Sequence, residues 1–184
     1  TDSTKEICEK FAVKDKRIRI FSHEKNLGPN WNFNFILEKA RGEYFMWTAV
    51  DDKILHGFIE KNLEILEEKS NIVCSASQVK YFGIKIKNVV KKPMHRSFKK
   101  KIINRFQNLQ NYSNSGTFES KFRYYLKLRG HHHVFFGIYR TEQLKKILVV
   151  DESLPIHFDL ATMLNTLRFG DVYVIDEVLM ERYD

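Results

Sequence analysis

Seven residues without polar alternation, Tyr44, Phe45, Met46, Trp47, Thr48, Ala49 and Val50, run directly into two carboxylates, Asp51 and Asp52. An apolar run of that length fits a strand buried on both faces, the situation of a central strand in a parallel sheet covered by helices. That placement predicts an α/β fold. Open α/β sheets bind ligands beyond the carboxyl ends of their strands, so Asp51 and Asp52 stand at the expected ligand end.

The flanking patterns agree with this reading. Ser3 with Glu6 fits a capping box opening a helix through about Phe11, and Arg17, Ile18, Arg19, Ile20 and Phe21 then alternate at strand period. Gly28 and Pro29 make a turn, Asn30 can cap a helix carrying Phe33, Ile36, Leu37 and Ala40, and Gly42 can end it in a left-handed cap. Ile59, Leu63 and Leu66 mark one face of a further helix, and residues 71–77 read as a strand. Beyond a basic stretch, Phe118, Phe122, Tyr125 and Leu126 suggest a helix with an aromatic face, and residues 134–139 a strand. Leu160, Met163, Leu164 and Leu167 lie at helical spacing behind Asp159, and residues 171–179 return as a strand. No repeat or Gly/Ser linker divides the 184 residues, which read as one domain.

Charge narrows the partners. With 31 Lys plus Arg against 23 Asp plus Glu, the net charge of +8 favours anionic ligands such as nucleotides or lipid headgroups. The basic stretch of Lys91, Lys92, His95, Arg96, Lys99, Lys100 and Lys101 is either a solvated face or a contact for phosphate groups or an anionic membrane. It matches no nucleic-acid motif, so nucleic acid is not expected as a partner. Cys8 and Cys74 lack metal-ligand spacing and favour a reducing compartment. No apolar run is long enough for a membrane span, and residues 1–10 lack the centre of a signal peptide. A start at Thr1 without methionine leads us to expect an upstream piece.

Adjacent carboxylates at a strand end can hold a hard divalent cation; alternatively Asp52 caps the next helix and Asp51 shapes the turn. Asp159 before an apolar helix can be an N-cap or a general base. His131, His132 and His133 cannot converge on one ion if they lie on a strand, where consecutive side chains oppose. One histidine, His133, is left to face an acceptor, with Arg140 and Arg182 assigned to the same side.

Several landmarks in order resemble a known family. Thr1, Asp2, Ser3 and Thr4 resemble the end of a D-D-G-S-T-D-x-T segment, and Asn26, Leu27 and Gly28 with Asn34 resemble N-x-G followed by a helical Asn. Ala40 to Tyr44 matches A-x-G-E-Y, Asp51 and Asp52 end a D-x-D-D-like motif, and Gly137, Ile138, Tyr139 and Arg140 resemble G-x-[FY]-R. The chain is similar to family 2 glycosyltransferases of the GT-A fold. Ala49 stands where the family's first motif Asp would be, and Phe158 where its Glu precedes the base. The resemblance implies a mixed, mostly parallel central sheet flanked by helices, with the first strand and helix missing. Residues 1–90 would form the nucleotide-sugar half and 91–184 the acceptor half. It further implies donor binding by Asp2, Asn26, Gly28, Asn34 and Asp51, Mg²⁺ or Mn²⁺ on Asp51 and Asp52, and Asp159 as catalytic base. The implied partners are a nucleoside-diphosphate sugar and a saccharide or lipid-linked acceptor, met in the cytoplasm or at the inner face of the membrane.

Two other classes compete with an inverting transferase. A metal-dependent nucleotidyltransferase would also use strand-end carboxylates but would add a Gly-rich phosphate loop. A non-catalytic basic module for nucleic acid or anionic lipid would bind with steep salt dependence and ignore nucleotides.

Overall fold

The computed structural model describes residues 3–82, 115–127, 132–148 and 158–183. Among these, five strands form one sheet in the order β1-β4-β3-β5-β2. They are β1 (Tyr44–Phe45), β2 (Asp52–Ile54), β3 (Ile72–Phe82), β4 (Ile138–Arg140) and β5 (Asp171–Tyr183). The sheet is mixed: β3 and β5 pair in parallel over most of their length, and the β1–β4, β4–β3 and β2–β5 pairs are antiparallel. Strands from both halves of the chain therefore share one ladder.

Helices cover both faces. On one side α3 (Phe58–Glu68) buries Phe58 and Leu66 against Ile72, Val79, Ile138 and Met180. On the other, α2 (Pro29–Glu38), α4 (Phe118–Lys127), α5 (Thr141–Ile147) and α6 (Phe158–Phe169) bring Leu37, Tyr125, Leu144, Met163 and Leu167 onto Val73, Val172 and Val174. Met163 and Leu167 are fully buried, as their helical spacing predicts. The first helix, α1 (Thr4–Lys14), buries no residue.

Local chemistry moved several boundaries. Gly28, at φ +85°, takes the N-cap of α2 and Pro29 its first turn, where a missing N–H costs nothing; Asn30 is inside the helix. The helix ends at Lys39 in a right-handed conformation, and Gly42 is not left-handed. Instead the carbonyls of Gly42 and Glu43 accept hydrogen bonds from Thr141, 2.7 Å from Oγ1 and 2.9 Å from N, which fastens the turn to α5. Ser3 precedes α1 but makes no side-chain cap. Residues 17–21 form no strand, because a strand needs a paired neighbour to complete its hydrogen bonds and the segment beside them is helical: Arg19 donates to Lys39 O and the Phe21 ring lies 5.4 Å from that of Phe35 on α2. The inward stripe of α3 is Phe58, Asn62 and Leu66, while Ile59 is 54% exposed. Asn62 is tolerated there because its Nδ2 donates to Phe58 O at 2.7 Å and its Oδ1 accepts from Ser75 Oγ at 2.7 Å.

The strand expected over residues 134–139 divides into a 3₁₀ turn, His132–Phe136, and β4. The Val134 carbonyl accepts from both Gly137 N at 2.9 Å and the Tyr139 hydroxyl at 3.0 Å, which closes the turn. A Cβ on Gly137 would come within 2.7 Å of Ser75 O and 2.9 Å of Cys74 Sγ, so only glycine fits.

Candidate active site

The predicted strand through Val50 survives only as Tyr44–Phe45, at the edge of the described sheet. Beyond it Trp47 turns inward, stacked on Phe135 with ring centroids 4.5 Å apart and planes 4° apart, and its Nε1 donates to Phe33 O at 3.3 Å. Val50 is fully exposed. The chain then turns sharply, with Asp52 N donating to Ala49 O at 3.2 Å, and enters β2, where Asp52, Lys53 and Ile54 face Arg182, Glu181 and Met180 of β5.

The two neighbouring carboxylates consequently occupy opposite environments. Asp51 sits exposed on the turn. The Asp52 side chain is 1% exposed, and its Oδ1 lies 2.9 Å from Nε of Arg182. Neither Asp52 oxygen receives a well-aligned hydrogen bond, so the pair is held by charge rather than by directional bonding. The Arg182 guanidinium also lies 4.3 Å from the centroid of Phe136. Sequence reasoning put Arg182 on an acceptor side; here it faces Asp52. The cross-strand register that joins them is not visible as a local pattern.

Asp159 lies in the first turn of α6, half-buried, with Oδ1 accepting from Leu160 N at 2.7 Å. Its predecessor Phe158 packs on Phe33 at 5.0 Å and Phe135 at 5.2 Å. Phe33 and Phe135 are also the partners of Trp47. One aromatic cluster therefore anchors both the start of α6 and the segment leading to Asp51. Composition alone could not predict it, although the count of 15 Phe was a signal that aromatic packing would be extensive.

The residues that the family resemblance assigns to a donor form a separate feature. Asn26 Oδ1 accepts from Gly28 N at 2.9 Å, which shapes the loop before α2. An open groove of about 550 Å³ runs there, lined among others by His23, Asn26, Gly28, Trp31 and Asn32. Trp31, Phe35 and His23 pack beside it, with Trp31 and Phe35 stacked at 4.8 Å. Asn34 is half-buried on α2, next to Phe33. Arg140 donates to Tyr44 Oη at 3.4 Å and to Leu66 O, tying β4 to β1 and to the end of α3. His133 lies in the 3₁₀ turn rather than on a strand, so the strand argument for the histidine tract does not apply. Asp2, His131 and the basic stretch 91–101 lie outside the described residues.

Mg²⁺ or Mn²⁺ is the group a family of this kind implies. Among the described residues no three His, Cys, Asp or Glu side chains are grouped to cage a metal. One exposed carboxylate, Asp51, does suit a cation that keeps waters and takes its remaining oxygens from a diphosphate. The residues fit a cation that arrives with a substrate.

Buried thiol and phenol groups below the site bear on stability. Burial pushes the Cys74 thiol from its ordinary 9.0 up to about 12, against a smaller lowering by its hydrogen bond with Tyr139. Tyr125 rises from 10.0 to about 12, first through burial and then through the Asp159 carboxylate. The unfolded chain releases both protons near the ordinary values, whereas the folded chain holds them to about pH 12. Stability from these groups is complete below about pH 9 and is lost as pH rises from about 9 to 12. Denaturation midpoints measured across that interval should fall steadily, and replacing Cys74 by Ala should flatten the first part of the fall.

The same fold occurs in solved structures. The chain aligns over 100% of its length with S. aureus TarS, with a TM-score of 0.67 at 21% identity over 29% of that chain. The TarS 1–349 fragment in complex with UDP-GlcNAc gives the same score and identity, with 47% of it covered. The architecture is thus the GT-A glycosyltransferase fold. The model of glycosyl transferase family 2 matches residues 1–148, and the chain belongs to that family. Among curated relatives it is 36% identical over 70 residues to the putative teichuronic acid biosynthesis glycosyltransferase TuaG of Bacillus subtilis, 38% of this chain and 28% of that protein. It is 33% identical over 87 residues to the cholesterol galactosyltransferase of Borreliella burgdorferi, 47% of this chain and 24% of that protein. The chain spans between 24% and 34% of the length of the curated relatives it matches.

Proposed function

We propose that this chain carries the catalytic centre of an inverting glycosyltransferase that moves a sugar from a nucleoside diphosphate to an acceptor hydroxyl in cell-surface polysaccharide or glycoconjugate assembly. The observation that carries this reading is the shared aromatic anchorage of Trp47 and Phe158, which ties the segment bearing Asp51 and the helix start bearing Asp159 to one cluster. The UDP-GlcNAc bound to the TarS fragment supports a nucleotide-sugar donor, and the name of TuaG supports a cell-surface product.

In this reading residues 1–90 serve the donor and 91–184 the acceptor. Asp2, Asn26, Gly28 and Asn34 line the donor side. Asp159 takes the proton from the acceptor hydroxyl, whose oxygen attacks the anomeric carbon in line and inverts it, as the bond to the diphosphate oxygen breaks. Asp51 would hold Mg²⁺ or Mn²⁺, which when bound supplies charge neutralisation on the departing diphosphate. The acceptor is a saccharide or a lipid-linked saccharide, with His133 on its side of the cleft. No helix among the described residues is long and apolar enough to cross a membrane. We place the protein in the cytoplasm, with residues 91–101 touching the anionic inner face of the membrane.

Thermal stabilisation of the intact protein by UDP, GDP, CDP and TDP, each with and without Mn²⁺, tests the proposal. One diphosphate should stabilise by about 2.7 kcal/mol at roughly a hundredfold excess over its Kd, and only when metal is present. Indifference to all four would overturn it in favour of a binding module.

A further inference from the structure

We propose that Asp52 is not a ligand of the cation but a buried strut, clamped by Arg182, that holds Asp51 in its exposed position. This rests on the reading of Asp51 as the donor-side carboxylate.

Two adjacent aspartates after a strand look equivalent in sequence, but the fold separates them. Asp51 is exposed, whereas the Asp52 side chain is 1% exposed and already faces a cation, with Arg182 Nε 2.9 Å from its Oδ1. A buried carboxylate needs its charge balanced, and Arg182 is the group placed to do it: Asp52 and Arg182 are directly opposed in the β2–β5 register. Arg182 is itself held, its guanidinium against the face of Phe136, whose ring lies 5.2 Å from that of Phe135 in the aromatic cluster. On the solvent side of the same strand pair, Lys53 and Glu181 approach to 3.6 Å, and Leu55 N donates to Leu179 O at 2.9 Å. The turn is therefore fixed at both ends, by Trp47 in the aromatic cluster and by Asp52 on Arg182, with Thr48, Ala49, Val50 and Asp51 between them. Fixing those ends limits where the Asp51 carboxylate can point. Arg182 thus acts on Asp51 through Asp52, as a positioning residue.

Asp51→Asn, Asp52→Asn, Arg182→Met and the Asp52→Asn/Arg182→Met double variant of the intact protein decide the matter with two readouts. The first is ligand-free thermal melting. Asp52→Asn and Arg182→Met should each lower the melting temperature, the double variant should lose clearly less than the sum, and Asp51→Asn should melt like the parent. The second is Mn²⁺ titrated in the presence of UDP and followed by water proton relaxation enhancement, which separates the protein-bound cation from Mn²⁺–UDP free in solution. Asp51→Asn should abolish binding, while Arg182→Met should weaken it by about 10–100-fold without abolishing it, as expected of a partner outside the ligand set. Arg182→Lys, which keeps the charge, should recover part of both losses. Additive melting losses would overturn the strut. So would an Asp52→Asn variant that melts like the parent but loses Mn²⁺ altogether, because Asp52 would then be a direct ligand. If the unsubstituted protein binds no Mn²⁺, the proposed role of Asp51 fails, and the melting cycle still decides whether Asp52 and Arg182 are coupled.

Discussion

Asp159→Asn is expected to lower turnover by about 10²–10⁴-fold while leaving donor affinity within about twofold of the parent, since a positioned base contributes rate and not ground-state binding. The substitution is nearly isosteric. An amide oxygen at this position can still accept the hydrogen bond from Leu160 N, now 2.7 Å from Oδ1, and Phe158 keeps its contacts with Phe33 and Phe135. The start of α6 should therefore hold its place, and on the role proposed for Asp159 what is lost is the capacity to take a proton from the acceptor. Steady-state release of nucleoside diphosphate with acceptor present gives the rate, and calorimetric titration with the donor in the absence of acceptor gives the affinity. Near-normal turnover would show that another group removes the proton. A parallel loss of donor affinity would show instead that Asp159 supports the donor site.

The ease of reading different parts of this sequence follows from where the determining forces act. Helices α2, α3 and α6 declare themselves through local spacing, because the residues that pack on the sheet recur every three or four positions. Asn62 escapes that reading because its partner, Ser75, is thirteen residues away on β3. The family landmarks are equally legible, and the structure supplies their physical content. Gly137 leaves room for Ser75 O and Cys74 Sγ, Tyr139 closes the turn on the Val134 carbonyl, and Arg140 fastens β4 to α3 through Leu66 O. Those features act within the chain's own packing, which explains how a motif can mark a family without each of its residues touching substrate.

What the sequence does not reveal is decided at long range. Residues 17–21 have strand periodicity, yet periodicity describes one edge and says nothing of whether another segment lies along it. Here that segment is a helix, α2, and Ile18, Ile20 and Phe21 stay 41%, 38% and 39% exposed, unpaired with any described strand. The difference between Asp51 and Asp52 has the same origin. It arises from Arg182, 130 positions along the chain from Asp52, brought opposite by antiparallel pairing. Inspection of either segment alone gives two equivalent carboxylates and an unassigned arginine.

Lys121→Met should destabilise the fold by about 3–5 kcal/mol, because it removes one partner of a buried ion pair. The Lys121 side chain is 6% exposed and Asp171 15%, with Nζ 3.2 Å from Oδ1. The same ammonium donates to the Gly170 carbonyl at 2.6 Å, where α6 ends and its last carbonyls favour a cation. Asp171 is held from the other side by Asn71, whose Nδ2 lies 2.7 Å from Oδ2, and its own N–H donates to Asn71 O at 2.9 Å. One lysine therefore joins α4, the end of α6 and the starts of β3 and β5. Nothing bulkier than glycine fits at the junction, since a Cβ on Gly170 would come within 2.4 Å of Val73 Cγ1. Methionine preserves most of the aliphatic volume, so the loss reports the uncompensated Asp171 charge and the helix-end carbonyl rather than a cavity. Urea denaturation should show a lower midpoint with an unchanged slope. Adding Asp171→Asn should return part of the loss by removing the stranded charge, whereas disrupting the exposed Arg123–Glu119 pair on the same helix should leave the midpoint where it was. If Lys121→Met melts like the parent, or if Asp171→Asn deepens its loss, the ammonium is not what holds these four elements together.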